Sequence, residues 1–191
     1  LDAGTSGVVF INYKVDSENN IRIFYNYSAT EIKVNYRAAG TSYGVAKTFN
    51  SGDGEWHHIA STWDTSGKVF LYFDGALVNS TAIGGTIAGS FTSASIGSDA
   101  AGAYFFKGNI DEVSIFDVEL SASDVTTLYN DGLPYTVAAD TGLMGWWRMG
   151  DGGIIGDPIA TFPTIPDEST NSNDGTMTNM ASSDFEADVP E

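Results

Sequence analysis

The 191-residue chain contains no cysteine and only 8 Lys or Arg against 25 Asp or Glu. The first absence excludes a disulfide framework and any thiolate metal site, and it leaves the redox compartment open. The second gives a formal charge of −17, which repels nucleic acid and anionic lipid surfaces, since both need a positive patch. Neither is expected as a partner. No apolar run reaches the roughly 18 residues of a membrane helix and no basic-then-apolar leader opens the chain, so no membrane insertion is expected. An initiator Met is missing as well, and Leu1 in its place is what a processed product or part of a longer polypeptide would show. Gly-x-Ser-x-Gly elbows, P-loops and nucleotide-type glycine fingerprints are all absent.

What is present points to strands. A hydrophobic content of 42% over this length suffices for one well-buried domain with a modest appendage, not for two full domains. Aromatics at 13% with 22 Gly favour many short strands joined by tight turns over a helical fold. Strands are predicted at 8–15, 21–27, 31–37, 43–49, 56–63, 69–73, 77–81, 93–97 and 109–116, the regular spacing of a sandwich. Ile21, Ile23, Tyr25 and Tyr27 alternate with Arg22, Phe24 and Asn26, which marks one face as core and the other as mixed. The carboxylates are scattered rather than blocked, which reads as a solvated acidic surface and suits a salty medium.

One helix is expected between Leu120 and Gly132, because Ser121 can cap it, Asp124 falls at the third helical position, and Val125, Leu128 and Tyr129 share a face. Pro134 then cannot continue it, so 133–141 reads as a linker.

Three pieces carry a resemblance: Trp56-His57-His58-Ile59-Ala60, Val69-Phe70-Leu71-Tyr72-Phe73-Asp74-Gly75, and Ile110-Asp111-Glu112-Val113 followed by Leu120-Ser121. Together they resemble laminin-G-like, concanavalin-A-like lectin-type jelly rolls, of the kind found in virion proteins of marine bacteriophages. The resemblance implies an all-β, antiparallel two-sheet β-sandwich with one short helix, and a binding module rather than a catalyst.

The domain is then expected over 1–135, with 136–191 as linker and closing segment. That segment, with Trp146-Trp147-Arg148-Met149-Gly150-Asp151 and the later Asp167-Glu168-Ser169-Thr170-Asn171-Ser172-Asn173-Asp174-Gly175, resembles the way such domains begin. The order is shuffled. It completes the same sandwich as a circular permutation, starts a truncated second domain, or completes a neighbouring copy by strand exchange.

Catalysis finds little support. His57 and His58 are adjacent on an expected strand, so their side chains face opposite ways, one packed and one at the surface, and cannot converge on one metal or substrate atom. Hydrolases of the same fold place two carboxylates on one strand of the concave face, but no Glu-x-Asp-x-x-Glu pattern occurs, and Asp111 and Glu112 as neighbours face opposite sides. The oxygen-bearing side chains of Asp167, Asn171, Asn173 and Asp174 suit a hard cation instead. The resemblance implies a structural calcium held there together with Asp111; the plain alternative is an Asx-turn cluster.

For ligands, an exposed ring beside amides stacks on a pyranose face, and Tyr43, Tyr104 and Phe105 are the candidates; Trp56, Trp63, Trp146 and Trp147 are expected to pack inside. The resulting expectation is a non-enzymatic recognition module, extracellular or on a virion surface, that binds glycan or cell-surface polysaccharide. Neutral or weakly charged glycans are expected, because a charge of −17 disfavours anionic ones unless calcium bridges them. Other structural subunits or copies of the chain are the remaining partners. The competing readings are a purely structural assembly protein and a glycoside hydrolase.

Overall fold

A computed structural model describes residues 7–64, 67–99, 101–137, 140–149, 163–181 and 184. They belong to two compact units, Leu1–Gly108 and Asn109–Glu191. Strand and helix of the Ile110-Asp111-Glu112-Val113 motif therefore group with the closing segment. The division also separates charge: only Arg148 of the 8 basic residues, but 16 of the 25 acidic ones, follows Gly108. The acidity is segregated rather than scattered.

The first unit contains β1 (Gly7–Lys14), β2 (Asn20–Asn26), β3 (Glu31–Ala38), β4 (Thr41–Thr48), β5 (Ile59–Trp63), β6 (Lys68–Phe73), β7 (Ala76–Ala82) and β8 (Ser93–Ile96). Every pairing is antiparallel, and hairpins join all paired strands except β1 and β8: a five-stranded sheet in the order β4-β3-β2-β1-β8 and a three-stranded sheet β5-β6-β7. Alternation sends Ile21, Tyr25, Ile32, Val34, Tyr36 and Val45 from the first sheet and Val69, Leu71 and Phe73 from the second into one buried cluster. This is a two-sheet antiparallel β-sandwich. Leu71 and Val34 are fully buried, and each such side chain contributes about 1.5–3 kcal/mol by leaving water.

One expected strand starts late and another ends early, for a common reason: side chains take over the backbone donors. Ahead of β5, Asp74 Oδ1 accepts the His58 N–H at 3.0 Å, and 56–58 stay outside the ladder. Tyr27, expected in the core, is 49% exposed, because Asn26 Oδ1 accepts the Ser28 N–H and turns the chain away one residue early.

The second unit holds β9 (Val113–Phe116), α1 (Ala122–Tyr129), β10 (Leu143–Trp147), β11 (Thr164–Ile165) and β12 (Gly175–Thr176). β9 was expected from Asn109; Asp111 Oδ1 accepts the Glu112 N–H at 2.8 Å and Glu112 adopts φ 49°, which breaks the extended run. The helix carries the expected capping box, the Ser121 hydroxyl accepting from Asp124 N and the Asp124 carboxylate accepting from Ser121 N. It ends on Asn130 in the left-handed conformation rather than on Gly132. β10 pairs with β9, Trp147 opposite Val113. Trp146, Trp147, Val125, Val137 and Met177 are buried. The Gly150-Asp151 turn and Phe162 lie outside the described residues. No described helix is long and apolar enough to cross a membrane.

Candidate functional site

Of the three expected stacking residues, the structure brings two together. Tyr104 and Phe105 are 40% and 51% exposed on the loop that follows β8. Asp99 organises this loop: its Oδ1 accepts the N–H groups of Ala101 and Ala103 at 3.0 and 2.8 Å, while its own N–H donates to Ala103 O. Tyr104 O accepts the Val9 N–H at 3.0 Å, which fastens the loop along β1 at the edge of the five-stranded sheet. Consecutive residues of an extended chain face opposite ways. The left-handed turn at Tyr104, φ 57°, interrupts that alternation, so both rings stay exposed, and Phe106 resumes core contact edge-on to Phe10 at 4.9 Å. Two exposed rings on a tied-down loop have little conformational freedom left to lose on contact with a ligand.

Tyr43 is not part of it. It sits opposite Tyr36 in the β3–β4 register, faces the core, and places its hydroxyl against Gly84, where an added Cβ would lie 2.7 Å from it. The turn-rich surroundings suggested exposure; the register at its position assigns it to the core face.

The calcium candidates separate in the same way. Asp167, Asn171, Asn173 and Asp174 do share one loop, centred on the buried Asp167 carboxylate. Its Oδ1 accepts the N–H groups of Trp146 (2.8 Å) and Ser169 (2.9 Å), and its Oδ2 accepts the Ser169 hydroxyl and the Asn173 N–H, both at 2.8 Å. These four bonds fill the roughly four lone-pair sites of a carboxylate. Burial alone would raise the Asp167 pKa, but the donors, that of Trp146 foremost, outweigh it and hold the carboxyl below its ordinary range. Asp174 Oδ1 accepts the Asp167 N–H at 3.0 Å, and the amides of Asn171 and Asn173 donate to the carbonyls of Leu143 and Met144 at 2.9 and 2.8 Å. Among the described residues no three carboxylate or histidine side chains converge as a metal would require, so Asp111 does not join Asp167 and Asp174 in one cluster. The arrangement fits a hydrogen-bonded clasp on β10, in which the Asp167 oxygens are already occupied by protein donors.

Two features escaped the sequence. Glu112 does not simply face away from Asp111: its Oε2 accepts the Trp146 indole N–H at 2.7 Å and its Oε1 pairs with Arg148 Nε at 2.9 Å, with both charged side chains only 17% exposed. The Glu112, Trp146 and Arg148 side chains lie 34 and 36 residues apart in sequence, so no local pattern signals them. His57 bridges two aspartates, Nδ1 at 3.0 Å from Asp74 Oδ2 and Nε2 at 3.1 Å from Asp53 Oδ2. Burial depresses its pKa, but the two hydrogen bonds and charges outweigh that and the net shift is upward. His58 is half-buried and shifts downward by desolvation.

With this geometry in place, comparison with known proteins is informative about the fold. Residues 2–126 match a laminin-G-type family profile described as the concanavalin A-like lectin/glucanases superfamily. No curated protein matches the chain. The crystal structure of a presumed carbohydrate binding protein from Bacteroides ovatus is similar with a TM-score of 0.59 at 21% identity, over 90% of this chain and 53% of that one. This chain thus spans about half the length of that protein. An S-layer domain-containing protein from Clostridium thermocellum matches at 23% identity over 68% of this chain and 65% of its own, with a TM-score of 0.31, below the level of a shared fold.

Proposed function

The chain belongs to the concanavalin A-like lectin/glucanases superfamily, and on that premise we propose that it is a non-enzymatic carbohydrate-binding module of a larger extracellular or virion-surface assembly. The observation that carries this reading is the Tyr104–Phe105 pair, two exposed rings fixed on a hydrogen-bonded loop at a sheet edge. Stacking on such rings supplies affinity without depending on charge. The description of the Bacteroides ovatus protein as a presumed carbohydrate binding protein supports the same ligand class. A non-catalytic role is supported by how carboxylates in each unit are engaged: Glu112 by Arg148 and an indole, Asp53 and Asp74 by His57.

Single sites of this kind bind weakly. Display in many copies raises avidity by about 10² to 10⁴ without new contacts, which suits a capsid, tail or cell surface. The test is a glycan array probed with a multivalent display of the chain, alongside Tyr104→Ala and Phe105→Ala. Each ring removed is expected to lower binding by roughly two- to tenfold. Silence of the native chain across all glycans would sink the reading. It would favour instead a purely structural assembly role, for which the edge strand β7, with Leu77 and Val78 50% and 39% exposed, offers an apolar contact.

A further inference from the structure

The face of the five-stranded sheet turned away from the core has a composition at odds with the chain as a whole. The register aligns Ser95, Asn12, Arg22, Asn35 and Gly44 in one row across all five strands. A flanking row runs Ser93, Lys14, Asn20, Arg37 and Ser42, and another runs Val9, Phe24, Lys33 and Ala46. Lys14, Arg22, Lys33 and Arg37, four of the 8 cations in the sequence, therefore share one face. All four are partly exposed, above the buried amides of Asn12 and Asn35. Among the described residues two carboxylates border this face: Glu31 stands in the next row, its Oε1 accepting from Asn26, and Glu18 pairs with Arg37 at 3.2 Å.

The cations are positioned, not merely present. The Arg22 guanidinium lies 5.6 Å from the centroid of the buried Phe24 ring. The Lys33 side chain crosses Gly44, where an added Cβ would sit 2.9 Å from its Cε. Among the described residues Lys33 has no ion-pair partner.

We propose that this face binds an anionic polysaccharide, one bearing carboxylate or sulfate groups, laid across the strands; this rests on the carbohydrate-binding reading and narrows its ligand. Five strands span roughly 20 Å at about 4.8 Å per gap, room for several sugar units. Arginine matches planar oxyanions with two parallel donors, and lysine supplies a point charge. The net charge of −17 does not oppose this. At physiological salt, charges farther than about 8 Å are largely screened, so the local cations decide.

The experiment measures retention of the full chain by affinity electrophoresis in polygalacturonate, dextran sulfate and neutral dextran, over a range of sodium chloride. The native chain is expected to be retarded by one or both polyanions, less so as salt rises. The double variant Arg22→Gln/Lys33→Gln is expected to lose roughly tenfold in affinity, as two partly exposed charge contacts would. Lys68→Gln, a cation on β6 outside this face, is expected to change nothing. Equal loss in Lys68→Gln would overturn the proposal, since binding would then follow total charge. Retardation by neutral dextran or binding on the neutral glycan array, without response to either polyanion, would overturn it and leave carbohydrate binding standing. Silence on every glycan would overturn both. Concentration-dependent self-association abolished by the double variant, with no polyanion binding, would overturn it in favour of a face that docks the acidic unit of another copy.

Discussion

Removing the Asp167 carboxylate should destabilise the second unit severely and without any involvement of calcium. In Asp167→Ala, the N–H groups of Trp146, Ser169 and Asn173 lose their acceptor together, as does the Ser169 hydroxyl. A stranded buried donor costs about 1–3 kcal/mol. Trp146 is buried and carries the full penalty, whereas Ser169 and Asn173 lie at the surface of the loop and regain water. A loss of about 3 kcal/mol follows, or roughly 6–12 °C in Tm for a chain of this size. Asp167→Asn keeps the shape but presents an NH₂ group to two of the four donors, so about half the loss is expected.

The assay is thermal and urea denaturation followed by tryptophan fluorescence, with millimolar calcium and with chelator. The clasp predicts the same large destabilisation of Asp167→Ala in both buffers and no response of the native chain to chelator. A native Tm that falls with chelator, by as much as the substitution costs, would refute the reasoning and restore the cation cage, because a ligand bound only to the folded state stabilises by mass action. The pH dependence gives a second check. The folded pKa of Asp167 is depressed, so its contribution is present above the ordinary carboxylate value and is lost as pH falls through the folded one. Asp167→Asn should therefore flatten the acid limb of the stability curve.

Gly145→Ala should cost about 1–3 kcal/mol, read as a lower urea midpoint, because its Cβ would lie 2.3–2.9 Å from three atoms of the Trp147 ring, which is pinned by its indole bond to Asn173 O at 3.0 Å. The His57 bridge has the opposite pH sense to Asp167: its folded pKa is raised, so its stabilisation is full below the ordinary histidine value and disappears as pH rises through the folded one. The Tm difference between the native chain and His57→Asn should accordingly be larger at about pH 5.5 than at about pH 8.5, and a difference independent of pH would refute the bridge.

Much of the sandwich was legible because hairpins are local. Strands bounded by Asp74-Gly75 or Ala39-Gly40, and a helix opened by Ser121 and Asp124, carry their signals within a few residues. The errors have local causes too. Asp74 at His58, Asp111 at Glu112 and Asn26 at Ser28 each divert a backbone donor, shortening a strand that propensity alone would extend. Tyr43 was misjudged because its neighbours are polar while its register is not. The clasp and the Glu112 pair were beyond reach, since they join residues that only the β9–β10 pairing brings together.

The cationic face shows most clearly why position outranks composition. Val8, Phe10, Asn12 and Lys14 have the same parity in sequence, and strict alternation would send Lys14 to the side of Val8, into the core. The irregularity between Val9 and Ile11 inserts one residue, so Tyr13 faces inward opposite Ile21 while Asn12 and Lys14 cross to join Arg22 and Asn20. A single bulge thus supplies one of the four cations and one of the two amides in the middle row. A formal charge of −17 contains none of this, because it adds acidic residues of the second unit to cations of the first as though they acted at one place. Once screening limits each charge to its own neighbourhood, the total charge does not decide the sign of a ligand, and under the proposed anionic reading the register of β1 does.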